Sequence, residues 1–265
     1  MIGVPFLLSK VSKILVSTGR NTEGYQTTSE IVDLTIKGGN MCNNWPDIPI
    51  GVYGATGGLV GDTVIICGGD GGPLKKVDEC YSLTSEKATI VTHMSVGRDA
   101  AASIVLNDDT LWITGGLGNG ERVTLASTEY VTVTETMPGP DLPIALFHHA
   151  MVAINSTCSM VISGKDSNGY SASTHYYDRD QGEWFNGPSL MQSRSFHAAG
   201  IVTDEVTYED FVSVTGGNYH SDLTEPTEGG FHIPDYFDST EILQDGKWVQ
   251  GKIIFWNLSR SKILI

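Results

Sequence analysis

Five apolar runs, each ending in a glycine pair or its remnant, recur along the chain at intervals of about fifty residues. The closing glycines are Gly19, Gly69, Gly116, Gly164 and Gly217, which gives intervals of 50, 47, 48 and 53 residues. A repeat of this length indicates stacked or radially arranged units that bury their apolar faces against their neighbours. The sequence therefore predicts one array of repeats and not two ordinary domains.

Each repeat contains short segments with the composition of β-strands. β-branched runs such as Thr63-Val64-Ile65-Ile66 alternate with turns rich in Gly, Asp and Asn, and no long segment has apolar residues at helical spacing. Four strands in about fifty residues are typical of one blade of a β-propeller. We therefore expect an all-β fold of about five four-stranded blades over residues 14–251, either incomplete or closed by the termini.

The two ends of the chain do not follow the repeat. Residues 1–13 are expected to supply the innermost strand of the first blade. Residues 252–265 are basic and apolar, unlike the repeats before them. This tail is expected to begin a further blade, to pair with the N-terminal segment, or to be foreign to the repeat.

The fourth repeat resembles the kelch repeat most closely. The residues that carry the resemblance are Ser163-Gly164, Tyr176-Tyr177-Asp178, Trp184, Pro188, Met191, Arg194 and His197. The resemblance implies a kelch-type β-propeller. Residues that recur at one repeat position are expected to serve blade packing; these are the tryptophans Trp45, Trp184 and Trp248, the histidines His148, His149 and His197, and the series Glu30, Glu79, Glu129, His175 and Glu241.

The direction of the strands predicts which face binds a partner. If strands A to D of a blade run outward from the axis in alternating directions, the D-to-A and B-to-C connections emerge on the same face. Arg98 and Arg194 lie in D-to-A connections, and the longest B-to-C connection runs from Asn218 to Phe237. A loop of this length in a compact fold is typically functional. The predicted partner-binding residues are Arg98, Arg194, Ser195, Tyr219, His220, Asp222, His232 and Tyr236.

The two arginines suggest the chemistry of the partner. Guanidinium forks suit carboxylates, and similar kelch proteins hold short acidic peptides with arginines at the matching site. We therefore expect a protein partner or a short acidic peptide; the alternative is two solvated surface arginines. The resemblance implies substrate recognition for a ubiquitin ligase or actin-associated scaffolding. No BTB or BACK segment precedes Ile14, so the ligase role is expected only in a longer protein.

No reaction is expected. The alternative function is that of a kelch-fold enzyme, either a galactose-oxidase-like copper oxidase or a sugar-modifying enzyme, but Cys80-Tyr81 and His93 supply only part of a copper site. A metal site built from His220, Asp222, His232 and Asp235 would lie in one loop without a supporting motif. The sequence predicts neither a cofactor nor a metal.

Charge and cysteine content bear on the cellular setting. The formal net charge of −15 disfavours nucleic acid and anionic lipid, and no apolar stretch reaches eighteen residues, so no membrane insertion is expected. We expect a cytoplasmic protein with four free thiols. The alternative is an extracellular protein, in which Cys67 and Cys80 are able to pair. Two segments match the glycosylation acceptor pattern: Asn155-Ser156-Thr157 and Asn257-Leu258-Ser259.

Overall fold

The computed structural model describes residues 2–7, 13–33, 35, 42–72, 75–107, 109–120, 123–204, 207–219, 235–236 and 239–251. Within these ranges all regular structure is β-sheet and no helix occurs. The chain divides into two compact units, Met1–Phe147 and His148–Ile265. Together they contain five four-stranded antiparallel sheets, as the repeat predicts.

The first unit contains three sheets, each built from four strands that are consecutive in the chain. Sheet 1 contains β1 (Ile2–Leu7), β2 (Lys13–Asn21), β3 (Gly24–Asp33) and β4 (Cys42–Trp45). Sheet 2 contains β5 (Thr56–Val60), β6 (Thr63–Cys67), β7 (Glu79–Leu83) and β8 (Ala88–His93). Sheet 3 contains β9 (Ala102–Leu106), β10 (Thr110–Thr114), β11 (Thr128–Val131) and β12 (Thr136–Pro138).

The second unit contains two such sheets and one short β-ribbon. Sheet 4 contains β13 (Ala150–Ala153), β14 (Cys158–Asp166), β15 (Gly169–Asp178) and β16 (Glu183–Asn186). Sheet 5 contains β17 (Ala198–Thr203), β18 (Asp210–Thr215), β21 (Thr240–Gln244) and β22 (Lys247–Gly251). The ribbon of β19 (Asn218–Tyr219) and β20 (Asp235–Tyr236) lies between β18 and β21 in the chain.

The first strands of neighbouring sheets lie side by side within each unit. In the first unit β5 lies next to both β1 and β9, and in the second unit β13 lies next to β17. Strand β1 pairs with β2, so the segment before residue 13 supplies the first strand of sheet 1, as expected. The tail at 252–265 lies outside the described residues.

Apolar side chains fill the space between neighbouring sheets. Leu15 and Ile31 of sheet 1 pack in one cluster with Ile66 and Leu83 of sheet 2. In the second unit, Trp248 of sheet 5 packs with sheet 4 and donates its indole N–H to the carbonyl oxygen of Pro188 at 2.9 Å. The expectation that Trp248 fills the space between blades is therefore confirmed.

The glycine pair is explained by its backbone angles. Its second residue has a φ between 95° and 133° in all five repeats, a region open in practice to glycine alone. Its first residue has a φ between 56° and 72°, the left-handed helical region. Thr18 and Ser163 occupy this first position in sheets 1 and 4. The first glycine is therefore replaceable, whereas the second is not.

The second glycine also lies against the following D-to-A connection. The N–H groups of Gly19, Gly69, Gly116 and Gly164 donate to the carbonyl oxygens of Val52, Arg98, Leu146 and Arg194, at 2.8 to 2.9 Å. On its other side the glycine approaches the preceding D-to-A connection, since a Cβ atom at Gly116 would lie 2.6 Å from the carbonyl oxygen of Asp99. The first four repeats thus use this glycine to hold the loop that leads into the next repeat.

Gly116→Ala should destabilise the protein more than Gly120→Ala. Both glycines have φ near 100°, but among the described residues a Cβ atom at Gly120 would meet only a methyl group of Val123, at 3.4 Å. Backbone strain costs about 1–3 kcal/mol at either site, and the backbone clash adds about 1–3 kcal/mol at Gly116 alone. Urea unfolding of the two variants measures the difference. Equal losses would show that the close approach to Asp99 contributes nothing.

Cys67 and Cys80 form a disulfide between directly paired residues of β6 and β7. Both are buried, with at most 1% of their surface exposed. The expectation of free thiols is therefore wrong for these two residues. The two cysteines are directly opposite each other in the strand pairing, which brings their sulfur atoms within bonding distance. Cys158 is a free thiol, as expected.

Candidate binding face

The D-to-A and B-to-C connections meet through backbone bridges. Each bridge joins the residue three positions before the A strand to the residue that follows a glycine pair. The three bridges are Tyr53 to Asp70, Asp99 to Leu117, and Ser195 to Asn218. Within each unit the two kinds of connection therefore share one face, which confirms the prediction from strand direction. We call these loops the D-A/B-C face of the unit.

Arg98 does not offer its guanidinium group to a partner. Its side chain is fully buried, and Nη2 lies 2.5 Å from Oε1 of Glu129. Nη1 donates to the carbonyl oxygens of Gly115 and Ser127 at 2.9 and 2.7 Å. The other carboxylate oxygen of Glu129 accepts the backbone N–H of Ser95. Arg98 thus joins the connection after sheet 2 to strand β11 of sheet 3.

Arg194 repeats this arrangement in the second unit. Its side chain is fully buried, with Nη2 at 2.6 Å from Oε1 of Glu241, and Nη1 donates to the carbonyl oxygens of Gly216 and Ser239. The predictions that the two arginines bind a partner or lie in solvent are both wrong. The terminal nitrogens of each guanidinium group are held inside the fold by a carboxylate and two carbonyl groups. Ser195 is also buried, and its hydroxyl lies 2.7 Å from Oδ1 of Asn218.

Strand pairing corrects one member of the glutamate series. Thr114 pairs with Thr128 in sheet 3, and Cys67 pairs with Cys80 in sheet 2. Tyr81, one residue after Cys80, therefore holds the position of Glu129, and Glu79 lies two residues before that position. Tyr81 is buried in one apolar cluster with Val52, the counterpart of Arg98. Sheet 2 thus fills with apolar side chains the place where sheet 3 has an ion pair.

The remaining predicted binding residues belong to the connection after β18. Tyr219 is half-buried and pairs with Asp235, while Tyr236 pairs with Asn218. The backbone thus brings Tyr219 and Tyr236 together in one ribbon beside Ser195. His220, Asp222 and His232 lie outside the described residues.

A lysine bridges two carboxylates on the face of the first unit. Nζ of Lys76 lies 3.2 Å from a carboxylate oxygen of Asp70 and 3.2 Å from one of Asp99. Burial raises the pKa of Asp99, and Lys76 opposes that shift. Burial and Asp99 also raise the pKa of the Tyr53 phenol beside them. This cluster ties the B-to-C loop of sheet 2 to the connection that enters sheet 3.

The residue two positions before the A strand has a left-handed backbone in four successive connections. It is occupied by Gly54 and Ala100 in the first unit and by His148 and Phe196 in the second, with φ between 51° and 71°. A bulky side chain at such an angle is uncommon. Sequence reasoning missed Phe196. The feature of the sequence that could have revealed Phe196 is an aromatic residue at a position where the repeats of the first unit carry glycine or alanine.

His148 and Phe196 form a stacked pair on the face of the second unit. Their ring centroids are 3.4 Å apart with an interplanar angle of 27°, and the N–H of Phe196 donates to the carbonyl oxygen of His148. Phe196 nevertheless leaves 46% of its surface exposed. Lys165, which lies over the ring of Tyr170 at 4.1 Å, contributes with burial to lowering the pKa of His148 to about 3. The face therefore presents an aromatic surface with a cation nearby.

His149 and His197 directly follow His148 and Phe196 in the chain, one residue before β13 and β17. Both are buried, and burial lowers the pKa of each to about 3. Arg194 and His149 add to the shift at His197. The two imidazoles are therefore neutral at physiological pH and pack inside the fold, in keeping with a structural role.

The described residues do not form the copper arrangement considered from the sequence. The sulfur of Cys80 is bonded to Cys67, and the exposed ring of His93 lies 3.5 Å from Asp78. In the described ranges no group of three His, Cys, Asp or Glu side chains is placed to hold a metal ion. The same ranges contain no helix able to cross a membrane.

Comparison with known proteins extends the description of the fold. No family model matches the sequence, and no curated protein matches it. A solved structure described as "Structure of YjhT" is similar, with 12% identity, a TM-score of 0.78, and coverage of 97% of this chain and 88% of that chain. At this identity the likeness bears on fold alone. With its five four-stranded antiparallel sheets, the chain has an all-β fold consistent with a five-blade β-propeller.

Proposed function

We propose that this chain is a kelch-type propeller that acts without catalysis as a protein-recognition module. Its partner binds the D-A/B-C face of the second unit, with Phe196 as the central contact. The observation that carries the proposal is the exposed ring of Phe196 at a left-handed backbone position. Substrate recognition for a ubiquitin ligase and actin-associated scaffolding are the two settings that the kelch resemblance suggests.

The fold alone does not require a phenyl ring at position 196. Gly54 and Ala100 occupy the same position in the first unit and make the same connection, since the N–H of Ala100 donates to the carbonyl oxygen of Gly54 at 2.9 Å. Glycine adopts this backbone with the least strain. A phenyl ring there adds strain and leaves apolar surface in water. Binding of a partner would offset both costs.

The neighbours of Phe196 indicate the chemistry of the partner. Met191, in the same D-to-A connection, is 59% exposed, and aromatic residues and methionine are enriched in protein interfaces. Lys165 supplies a cation beside the ring pair. Because Arg98 and Arg194 are buried, they cannot select an acidic peptide. The partner that fits is a protein segment with an apolar or aromatic anchor next to a carboxylate.

Phe196→Ala should weaken partner binding at least tenfold, about 1.4 kcal/mol, the size of an ordinary hot-spot loss. The partner is first identified by photo-crosslinking from position 196, then purified and titrated by calorimetry. Phe185→Ala is the matched control, since Phe185 is 43% exposed on the outermost strand of sheet 4. Lys165→Glu should also weaken binding, and the loss of affinity should be larger at low salt than at high salt.

Two results would contradict the proposal. One is equal binding by the Phe196 variant and the wild type. The other is an equal loss from Phe196→Ala and Phe185→Ala, because a general apolar attraction would then explain the capture. Circular dichroism and urea unfolding show whether each variant is folded. Ala100 holds the same position in the first unit, so we expect the Phe196→Ala fold to persist.

A further inference from the structure

The turn between β13 and β14 carries one of the two glycosylation acceptor patterns of the sequence, Asn155-Ser156-Thr157. Asn155 and Ser156 are exposed. The guanidinium group of Arg179 donates to the carbonyl oxygens of Asn155 and Ser156, which fixes the backbone of the turn. The acceptor pattern therefore lies on an ordered and accessible hairpin turn. The second pattern, at Asn257, lies outside the described residues.

The hydrogen bonds of this turn orient the asparagine amide. Oδ1 of Asn155 accepts the backbone N–H groups of Thr157 and Cys158 at 2.9 and 2.7 Å, and the hydroxyl of Thr157 at 3.3 Å. Two backbone donors require an oxygen at this place, so the amide orientation is determined. Nδ2 is then on the other side of the side chain and makes no hydrogen bond to the described residues. The reactive nitrogen is free in an exposed turn, with the required hydroxyl two residues further on.

We propose that Asn155 is a site of N-linked glycosylation and that the chain matures in the secretory pathway. The donor class is an oligosaccharide linked through a pyrophosphate to a lipid. A bond forms between Nδ2 of Asn155 and C1 of the first sugar while the bond from C1 to the pyrophosphate oxygen breaks. Nδ2 loses one proton to a base of the transferring enzyme, and the lipid diphosphate leaves.

The buried disulfide supports this setting independently of the acceptor pattern. Cys67 and Cys80 are joined in the interior of the first unit. Disulfides persist in oxidising compartments and are rare in the cytosol, and transfer of N-linked glycans takes place in such a compartment. Both features thus favour the extracellular alternative over the cytoplasmic expectation.

The position of the turn is compatible with partner binding. In sheet 4 it joins the first and second strands, whereas the D-to-A and B-to-C connections lie at the other ends of those strands. A glycan on Asn155 would therefore extend away from the face that holds Phe196. The glycosylation proposal and the proposed function are independent, and either can fail alone.

The experiment uses the full chain, directed into the secretory pathway of a eukaryotic host by a cleavable leader. Intact mass is measured before and after treatment with peptide N-glycosidase in ¹⁸O water, which marks the released asparagine. We expect the label on residue 155, with the glycan mass that it accounts for, whether or not Asn257 is also modified. Asn155→Gln and Thr157→Val should abolish it, whereas Thr157→Ser and Asn257→Gln should retain it.

Two outcomes would overturn the assignment: an unmodified Asn155 peptide in the secreted wild type, or a glycan mass in Asn155→Gln equal to that of the wild type. Thr157→Val keeps the backbone N–H that donates to Asn155, so a loss in this variant reports the hydroxyl and not an opened turn. Protein from the natural source, treated with the same glycosidase, decides the compartment. Absence of a mass change there would contradict maturation in the secretory pathway.

Discussion

Arg98→Val should destabilise the first unit by about 3–5 kcal/mol, because it leaves the carboxylate of Glu129 buried without its counter-charge. The side chain of Glu129 is 3% exposed. The carbonyl oxygens of Gly115 and Ser127 also lose a donor in this variant. Urea unfolding at neutral pH measures the change in the free energy of unfolding.

The chain itself supplies the compensating variant. Sheet 2 holds Val52 and Tyr81 at the positions that Arg98 and Glu129 hold in sheet 3, and both are buried in the same apolar cluster. Replacing a buried ion pair by apolar groups is often neutral, whereas removing one partner is not. Arg98→Val with Glu129→Tyr should therefore recover at least about 1–2 kcal/mol of the loss from Arg98→Val alone.

The double variant decides between an ion pair and simple packing. If Arg98 served only to fill space, adding Glu129→Tyr would add a second loss in place of a recovery. Binding gives a second readout. Phe196 and its partner site lie in the other unit, so Arg98→Val should leave binding by the folded protein unchanged. A loss of binding without a loss of stability would instead support the partner-binding role that the sequence predicts for Arg98.

The period and the glycine pairs were sufficient to predict the sheets. A period constrains every repeat at once, and the second glycine recurs because only glycine adopts a φ near 100° without strain. The shared face of the D-to-A and B-to-C connections also followed from strand alternation. These are properties of the backbone, and they can be predicted from the spacing of glycines and strand-like segments along the sequence.

Side-chain burial was not predictable in the same way. Arg98 and Arg194 lie in loops, where arginine is ordinarily exposed, and their partners Glu129 and Glu241 are 31 and 47 residues away. The assignment of Glu79 failed because only the strand pairing identifies Cys80 as the partner of Cys67, which places Tyr81 and not Glu79 at the position of Glu129. Phe196 was missed because its position acquires meaning only when the left-handed backbone of Gly54 and Ala100 is known.

Acidification from pH 7 to pH 5 should destabilise the second unit by about 6 kcal/mol. The folded pKa values of His148, His149 and His197 are about 3, whereas an unfolded histidine titrates near 6.5. A lowered folded pKa means that the unfolded state binds protons first. Stability is therefore full above about pH 6.5 and is lost as the pH falls toward 3. Each histidine contributes about 2 kcal/mol between pH 7 and pH 5.

This loss is comparable with the whole stability of an ordinary domain, about 5–15 kcal/mol. Urea unfolding at several pH values gives the slope, and hydrogen exchange shows whether protection is lost first at residues 148–219. His149→Ala with His197→Ala should remove about two thirds of the part of the slope that His148, His149 and His197 supply. The fold accepts alanine at this position, because Ala55 and Ala101 occupy it in the first unit. The slope is the readout because the cavities left by the two alanines lower stability at every pH.

His93, whose side chain is 56% exposed, is the control, and His93→Ala should leave the slope unchanged. An unchanged slope in the double variant would mean that carboxylates, and not the buried histidines, drive the acid transition.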